Sequence, residues 1–287
     1  MDRVPGKCRE GGHSEFRLGL GLQLTSHYHC FSSTTMPPAS SSSSSPPSQE
    51  PLKFISLPPK SRHSATVFFI HGLGDTGHGW KPVADMFRLD PALSHVKWIL
   101  PHSPVRAVQA NLGMEMPSWF DIYSFGFNTD EDEVGMIQSA RSINQLIMNE
   151  VESGMDPSRI ILGGFSQGAT MSLLTGMMSE LKLGGIIVLS GWLTLRSKFK
   201  EIASAHAAST PVFWGQGAQD SLVKSTFGRE SADFLVTELG MPVGVPNECR
   251  GLSFITYDNL GHATNPMELD DVCNWMKKAI PAEKARK

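Results

Sequence analysis

From about residue 52 onward, short apolar runs alternate with longer amphipathic stretches. Six of the runs are nearly continuous in apolar residues: ATVFFI (65–70), VKWIL (96–100), RIILGG (159–164), GGIIVLS (184–190), TPVFWG (210–215) and LSFITY (252–257). Strands with one wet face alternate apolar and polar residues, whereas parallel strands covered on both faces read as these runs do. Between them, EDEVGMIQSARSINQLIMNEVES (131–153) places Val134, Ile137, Ile143, Leu146, Ile147 and Val151 mainly on one face at helical spacing. Its opening acids complement a helix N-terminus. SQGATMSLLTGMMSE (166–180), FGRESADFLVTELG (227–240) and NPMELDDVCNWMKKAI (265–280) predict three more helices, the last two marked by a Gly stop and a Pro start. Strand–helix alternation with right-handed crossovers predicts a single α/β domain over 51–287, a mostly parallel central sheet with helices on both faces.

Residues 1–50 break the pattern. The tract SSTTMPPASSSSSSPPSQE cannot bury enough apolar surface to offset the entropy of ordering, so the leader is expected to be disordered. Asp2, Glu10 and Glu15 make it a poor transit peptide, and LGLGLQL is too short and glycine-broken for a signal sequence. Asp2 stands where myristoylation needs a glycine, the C-terminus carries no CaaX box, and Met36 is an alternative start.

Composition narrows the function classes. With 40% apolar and 18% charged residues and a net charge of −3, the chain reads as a soluble globular protein and lacks the basic excess of a nucleic-acid binder. No apolar run approaches the roughly 18 residues of a membrane span. Cys8, Cys30, Cys249 and Cys273 form no CxxC pair, which suits a reducing, cytoplasmic setting and no structural zinc.

The candidate chemistry centres on GGFSQG, where Gly164 and Gly168 flank Ser166 at G-x-S-x-G spacing. A lone match is weak, since a serine between glycines is usually a loop hydroxyl. Here a predicted strand precedes it and a predicted helix follows, the context in which a tight turn exposes a nucleophile. That turn also points the Gln167 backbone N–H toward charge developing on a substrate oxygen. A serine needs a base and an orienting acid, which in this fold class follow in the order Ser, acid, His. Asp220 lies just past the strand TPVFW and His262 just past LSFITY. Alone, the aspartate would read as a turn or cap and the histidine as a surface residue; together, in order and each past a strand end, they form a triad. A second oxyanion donor is expected from FFIHGLGDTGHGW (68–80), where Leu73 follows His71 and Gly72. The competing reading of this loop, a phosphate cradle, lacks the GK[ST] of a P-loop and is the lesser one. His71, His78 and His102 lack an HExxH or an acidic ligand set, so no metal site is expected, and His71 reads as a support for the loop.

The blocks FFIHGLGDTGHGW, PHSPVRAV, MPSWFDIYSF, DPSRIILGGFSQGATMSL and GHATNP resemble the acyl-protein thioesterase/lysophospholipase family of carboxylesterases, from about residue 60 to 280. The resemblance implies the α/β-hydrolase fold, with Ser166 as nucleophile, Asp220 as orienting acid, His262 as base and the Leu73 and Gln167 amides as oxyanion hole. It implies no cofactor. It also implies that WFDIYSFGF (119–127), including Trp119, Phe120 and Ile122, covers an acyl channel that Trp192 and Leu222 would line. Core packing is the alternative for each aromatic and is preferred for Trp80. The chain departs from the family's usual pattern at Gln216 (usually His), at Ser221 (usually Pro) and after the base, where Ala263 and Thr264 follow.

The expected function is hydrolysis of fatty acyl thioesters on S-acylated proteins. Small esters or lysolipids are the alternative substrates, and a slow-turnover ligand sensor on the same fold is a third reading. The implied partners are those substrates, met by transient contact at a membrane surface, with no nucleic acid.

Overall fold

The apolar runs become strands of one seven-stranded sheet in the computed structural model, which describes residues 50–124, 130–245 and 248–283. Across the sheet the order is β1 (Phe54–Leu57), β3 (Val96–Pro101), β2 (Ala65–Ile70), β6 (Ile160–Phe165), β7 (Gly185–Leu189), β8 (Val212–Gly217) and β9 (Leu252–Tyr257). β1 pairs antiparallel with β3 and every other pairing is parallel. A separate antiparallel hairpin, β4 (Val105–Val108) with β5 (Met114–Pro117), projects between β3 and the helices that follow.

Both faces of the sheet are covered, which is why its strands lack polar alternation. Phe68, Ile70, Leu162 and Val188 pack under α2 (Glu133–Glu152), α3 (Gln167–Met178) and α5 (Ser225–Glu238). Val67, Phe69, Ile161 and Ile187 face the other way, under α1 (Gly77–Phe87) and α6 (Pro266–Ala279). The one-turn α4 (Phe199–Ile202) adds a buried Phe199 to the first core. Trp80 packs on Phe69 and Phe165, with ring centroids 4.4 and 5.6 Å away, and belongs to the second core.

The four helices read from the sequence form within a few residues of their expected ends, and their caps explain where they start. The Asp132 side chain accepts from the Gly135 N–H ahead of α2, and Asn265 accepts from Glu268 N ahead of α6, with Pro266 as its first residue. The periodicity missed β1, the β4–β5 hairpin, α1 and the short α4. α1 opens GHGWKP, and two glycines and a proline in its first turns hide a helix that Thr76 caps by accepting from His78 N. The leader 1–49 lies outside the described residues.

The sharpest backbone feature joins β6 to α3. Ser166 sits at φ 55° and ψ −123°, a left-handed conformation that places it on a sharp bend. Its N–H still donates to Leu189 O (2.8 Å), and its carbonyl accepts from Thr170 N (3.1 Å) as the first bond of α3. The bend presses α3 against the end of β2, so a Cβ on Gly168 would overlap the carbonyl oxygens of Ile70 and His71, and one on Gly164 would meet the Gly168 backbone. These oxygens belong to rigid strand ends and cannot step aside.

One charge-bearing group is buried without a partner. Glu268, in the first turn of α6, packs against β8 at Gly215, and neither carboxyl oxygen has a hydrogen bond among the described residues. Burial, reinforced by the nearby Asp271 carboxylate, pushes its pKa up to about 8.

Two outcomes follow from these contacts. Gly168→Ala is expected to lose about 1–3 kcal/mol of stability from overpacking against backbone, read as a lower urea midpoint at unchanged slope; an unchanged midpoint would show the contact is looser than described. Between the ordinary glutamate value of 4.5 and about 8, folded Glu268 keeps a proton the unfolded chain has released, so stability falls as pH rises through that window. Glu268→Gln should therefore melt increasingly above wild type as pH goes from about 5 to about 8.5, and a gap that is the same at both pH values would sink this assignment.

Candidate active site

The loops at the carboxyl ends of β2, β6, β8 and β9 bring together Leu73, Ser166, Asp220 and His262, on the edge where open α/β sheets build their sites. Ser166 Oγ lies 2.9 Å from His262 Nε2, and His262 Nδ1 lies 2.8 Å from Asp220 Oδ2. An aspartate oxygen only accepts, so Nδ1 carries the proton and Nε2 is left with its lone pair facing the serine hydroxyl. The Phe165 ring packs on the imidazole at 4.8 Å.

Asp220 is buried and its carboxylate is saturated. Oδ1 accepts from the Leu222 and Val223 backbone N–H groups at 3.0 and 2.9 Å. Oδ2 accepts from His262 and, at 3.4 Å, from Gln216 Nε2, which also donates to Val223 O at 2.9 Å. Gln216 thus fills the place of the family's usual histidine with a neutral amide that donates to the acid. Ser221 and Ala263, two of the other departures, are exposed and Thr264 is half-buried.

The Gln167 N–H heads α3, where no preceding turn can take it. Opposite it, Gly72 lies so close to the elbow that a Cβ there would come 3.3 Å from Ser166 Cβ. His71 braces this loop from behind: Nδ1–H donates to Gly72 O at 2.7 Å and Nε2 accepts from Ser103 N at 3.0 Å. Those bonds fix one neutral tautomer, and burial lowers the ring's pKa in agreement. Leu73 follows and lines the same cavity as Ser166.

That cavity, of about 250 Å³, is walled mainly by Leu73, Ile122, Trp192, Leu222 and Val223, with Asp75 as its one carboxylate besides the triad. A second cavity of about 250 Å³ adjoins it, shares Ile122 and Trp192, and adds Phe120. Phe120 and Trp192 meet edge to face at 6.2 Å. The loop bearing Trp192 is held by side chains: Trp192 N donates to Thr170 Oγ1, Leu193 N to Ser231 Oγ and Leu195 N to Glu131 Oε2.

Of the residues expected to contact substrate, Ile122, Trp192 and Leu222 line the cavity at Ser166, and Phe120 lines the adjoining one. Trp119 lines neither. It is wholly buried, its indole N–H donates to His71 O at 2.8 Å and its ring packs on the His71 ring, so it backs the oxyanion loop. Phe125, Gly126 and Phe127 of the same expected covering segment lie outside the described residues. Sequence reading missed Val223 and Asp75 in the cavity wall, and it assigned Gln167 only a backbone role.

The chain is 43% identical over 235 residues to acyl-protein thioesterase 1 of Cryptococcus neoformans, covering 80% of this chain and 98% of that protein. It is 42% identical to acyl-protein thioesterase 1 of Gibberella zeae, over 80% of this chain and 96% of that one. Among solved structures, SOBER1 of Arabidopsis thaliana superposes with a TM-score of 0.69 at 29% identity, covering 76% of this chain and 99% of that chain. Acyl-protein thioesterase 2 of Zea mays gives 0.67 at 28%, covering 79% and 99%. The phospholipase/carboxylesterase family profile matches residues 54–280, and the chain belongs to that family of α/β-hydrolases.

Proposed function

We propose that Ser166, His262 and Asp220 form a catalytic triad that hydrolyses fatty acyl thioesters on S-acylated proteins. The observation that carries the reading is the continuous hydrogen-bonded line from Ser166 Oγ through His262 to the saturated Asp220, opening on an apolar cavity. Kinship to acyl-protein thioesterases at about this identity supports the substrate class.

His262 Nε2 takes the Ser166 proton as Oγ attacks the acyl carbonyl carbon. The oxygen that gains charge accepts from the Leu73 and Gln167 N–H groups, each such donor worth about 2.7–4 kcal/mol. His262 then gives its proton to the departing sulfur, and the thiol leaves. Water follows the same path: His262 removes its proton, the hydroxide adds to the acyl-serine, and the proton returns to Oγ as the fatty acid departs. Asp220 holds the imidazole in the one tautomer that can serve both steps and stabilises the cation between them. The apolar walls favour an acyl chain over a charged group. We place this chemistry in the cytoplasm, a setting that the free thiols of Cys249 and Cys273 favour.

A fluorophosphonate is expected to label wild type once per chain, and Ser166→Ala is expected to lose both labelling and about a millionfold in turnover. Wild type that is neither labelled nor hydrolytic would defeat the enzyme reading and favour a sensor. Across a series of acyl thioesters and oxyesters, kcat/KM should rise with chain length and include a palmitoylated peptide. A maximum at acetyl esters, with the peptide untouched, would move the chain to small-ester chemistry.

A further inference from the structure

Residues 118–120 are buried, yet they belong to no helix or strand. A buried segment without a ladder must find partners for its backbone elsewhere, because an unpaired amide or carbonyl there costs about 1–3 kcal/mol. Ser118 N finds Pro104 O (2.9 Å), and Trp119 O accepts from Ser139 Oγ on α2. Two more of the segment's six backbone groups go to one side chain. Gln167 Oε1 accepts from Trp119 N at 2.9 Å, and Nε2 donates to Phe120 O at 2.8 Å.

The second Nε2 proton goes to Ser118 Oγ at 3.0 Å, and that hydroxyl gives its own proton to Phe120 O at 2.6 Å. The amide orientation is fixed by this pattern, since flipping it would set oxygen against the Phe120 carbonyl and N–H against the Trp119 N–H. Gln167 is wholly buried and its side chain turns away from Ser166 toward this one segment. Asp121 N continues the anchoring by donating to Asp132 Oδ2 (2.8 Å), so the chain arrives at Ile122 held along its length. Ile122 lines the cavity at the nucleophile, and Phe120 edges against Trp192, which lines it too.

We propose that the Gln167 side chain is a positioning residue that clamps segment 118–120 to the nucleophile elbow and thereby sets the enzyme's preference for acyl chain length. The inference rests on the reading of Ser166 as nucleophile and of its cavity as the acyl site. Residue 167 then has two separable parts. Its backbone N–H is held by α3 and by the close packing of Gly164 and Gly168, whatever the side chain. Its side chain reaches only the wall. Loss of the amide lets the wall shift, which an acetyl group does not reach and a long chain must pass.

The test uses the full chain as wild type, Gln167→Met and Ser118→Ala, with thioesters of one small thiol from acetyl to hexadecanoyl. Gln167→Met keeps the volume and removes every hydrogen bond. The ratio of kcat/KM on the longest to the shortest substrate is expected to fall about tenfold, the discrimination a displaced methylene-sized contact produces, with KM for the long chain carrying most of the change. Ser118→Ala, which deletes one hydroxyl of the clamp, is expected to move the ratio the same way by less. A loss equal at all chain lengths, or an unchanged ratio, overturns the proposal. If thermal melting shows Gln167→Met unfolded, Ser118→Ala decides by the same ratio. Failure here is distinct from failure of the hydrolase reading. Wild type that fluorophosphonate does not label refutes the hydrolase, whereas active, chain-length-selective wild type whose ratio Gln167→Met and Ser118→Ala leave unchanged overturns the clamp alone.

Discussion

The close approach of the β6–α3 turn to the end of β2 is the constraint on which the site depends. Gly164 and Gly168 let the two backbones touch, and the absence of side chains there sets how far Ser166 stands from Gly72 and Leu73. Ser166 and the Gly72–Leu73 loop come from segments nearly a hundred residues apart, and only the parallel pairing of β2 with β6 makes them neighbours. The strain at Ser166, a non-glycine residue at φ 55°, is sustained because both flanking elements are locked in the sheet and core. Sheet burial, turn geometry and site geometry are one mechanical unit.

Around that unit the cavity walls are built differently. The segments bearing Ile122 and Trp192 have no ladder of their own, and side chains stand in for it: Gln167 and Ser139 for one, Thr170, Ser231 and Glu131 for the other. Each of these polar side chains comes from a helix packed on the sheet or its approach. The walls therefore inherit their position from the helices through hydrogen bonds, while Ser166, Asp220 and His262 inherit theirs from the strands. Burial, with the Glu133 carboxylate adding to it, pushes the Glu131 carboxyl up against the Leu195 N–H and the Arg196 charge, which favour its ionised form.

Much of this was legible in the chain. The six buried strands announced themselves because two covered faces demand continuous apolar residues, and the order Ser166, Asp220, His262 followed from where strands end. What was hidden shares a physical cause. β1 has four residues between Pro51 and Pro58, too few to show a period, and α1 conceals its start behind Gly77, Gly79 and Pro82. Trp119 was expected at the substrate because it opens WFDIYSFGF, the segment that the resemblance implied covers an acyl channel, but consecutive residues in an irregular segment point in unrelated directions, and its indole N–H found His71 O. Gln167 carries no signal of its side-chain role in sequence, because its partners lie 47 to 49 positions away and are held by tertiary packing.

The saturated Asp220 carboxylate has an evolutionary corollary. One oxygen orients the base, and the other grips the amides of Leu222 and Val223, two residues of the cavity rim. The half-exposed Leu222 side chain is free to vary, because only its backbone is enlisted, whereas the Val223 side chain packs in the core. Proline is barred from both positions, since it has no N–H to give. At 221 the carboxylate uses no amide, so that position can hold a proline as well as the serine found here. The rim at 222 can thus vary around a fixed backbone, with the Asp220 carboxylate as the template that holds both that backbone and the His262 ring in place.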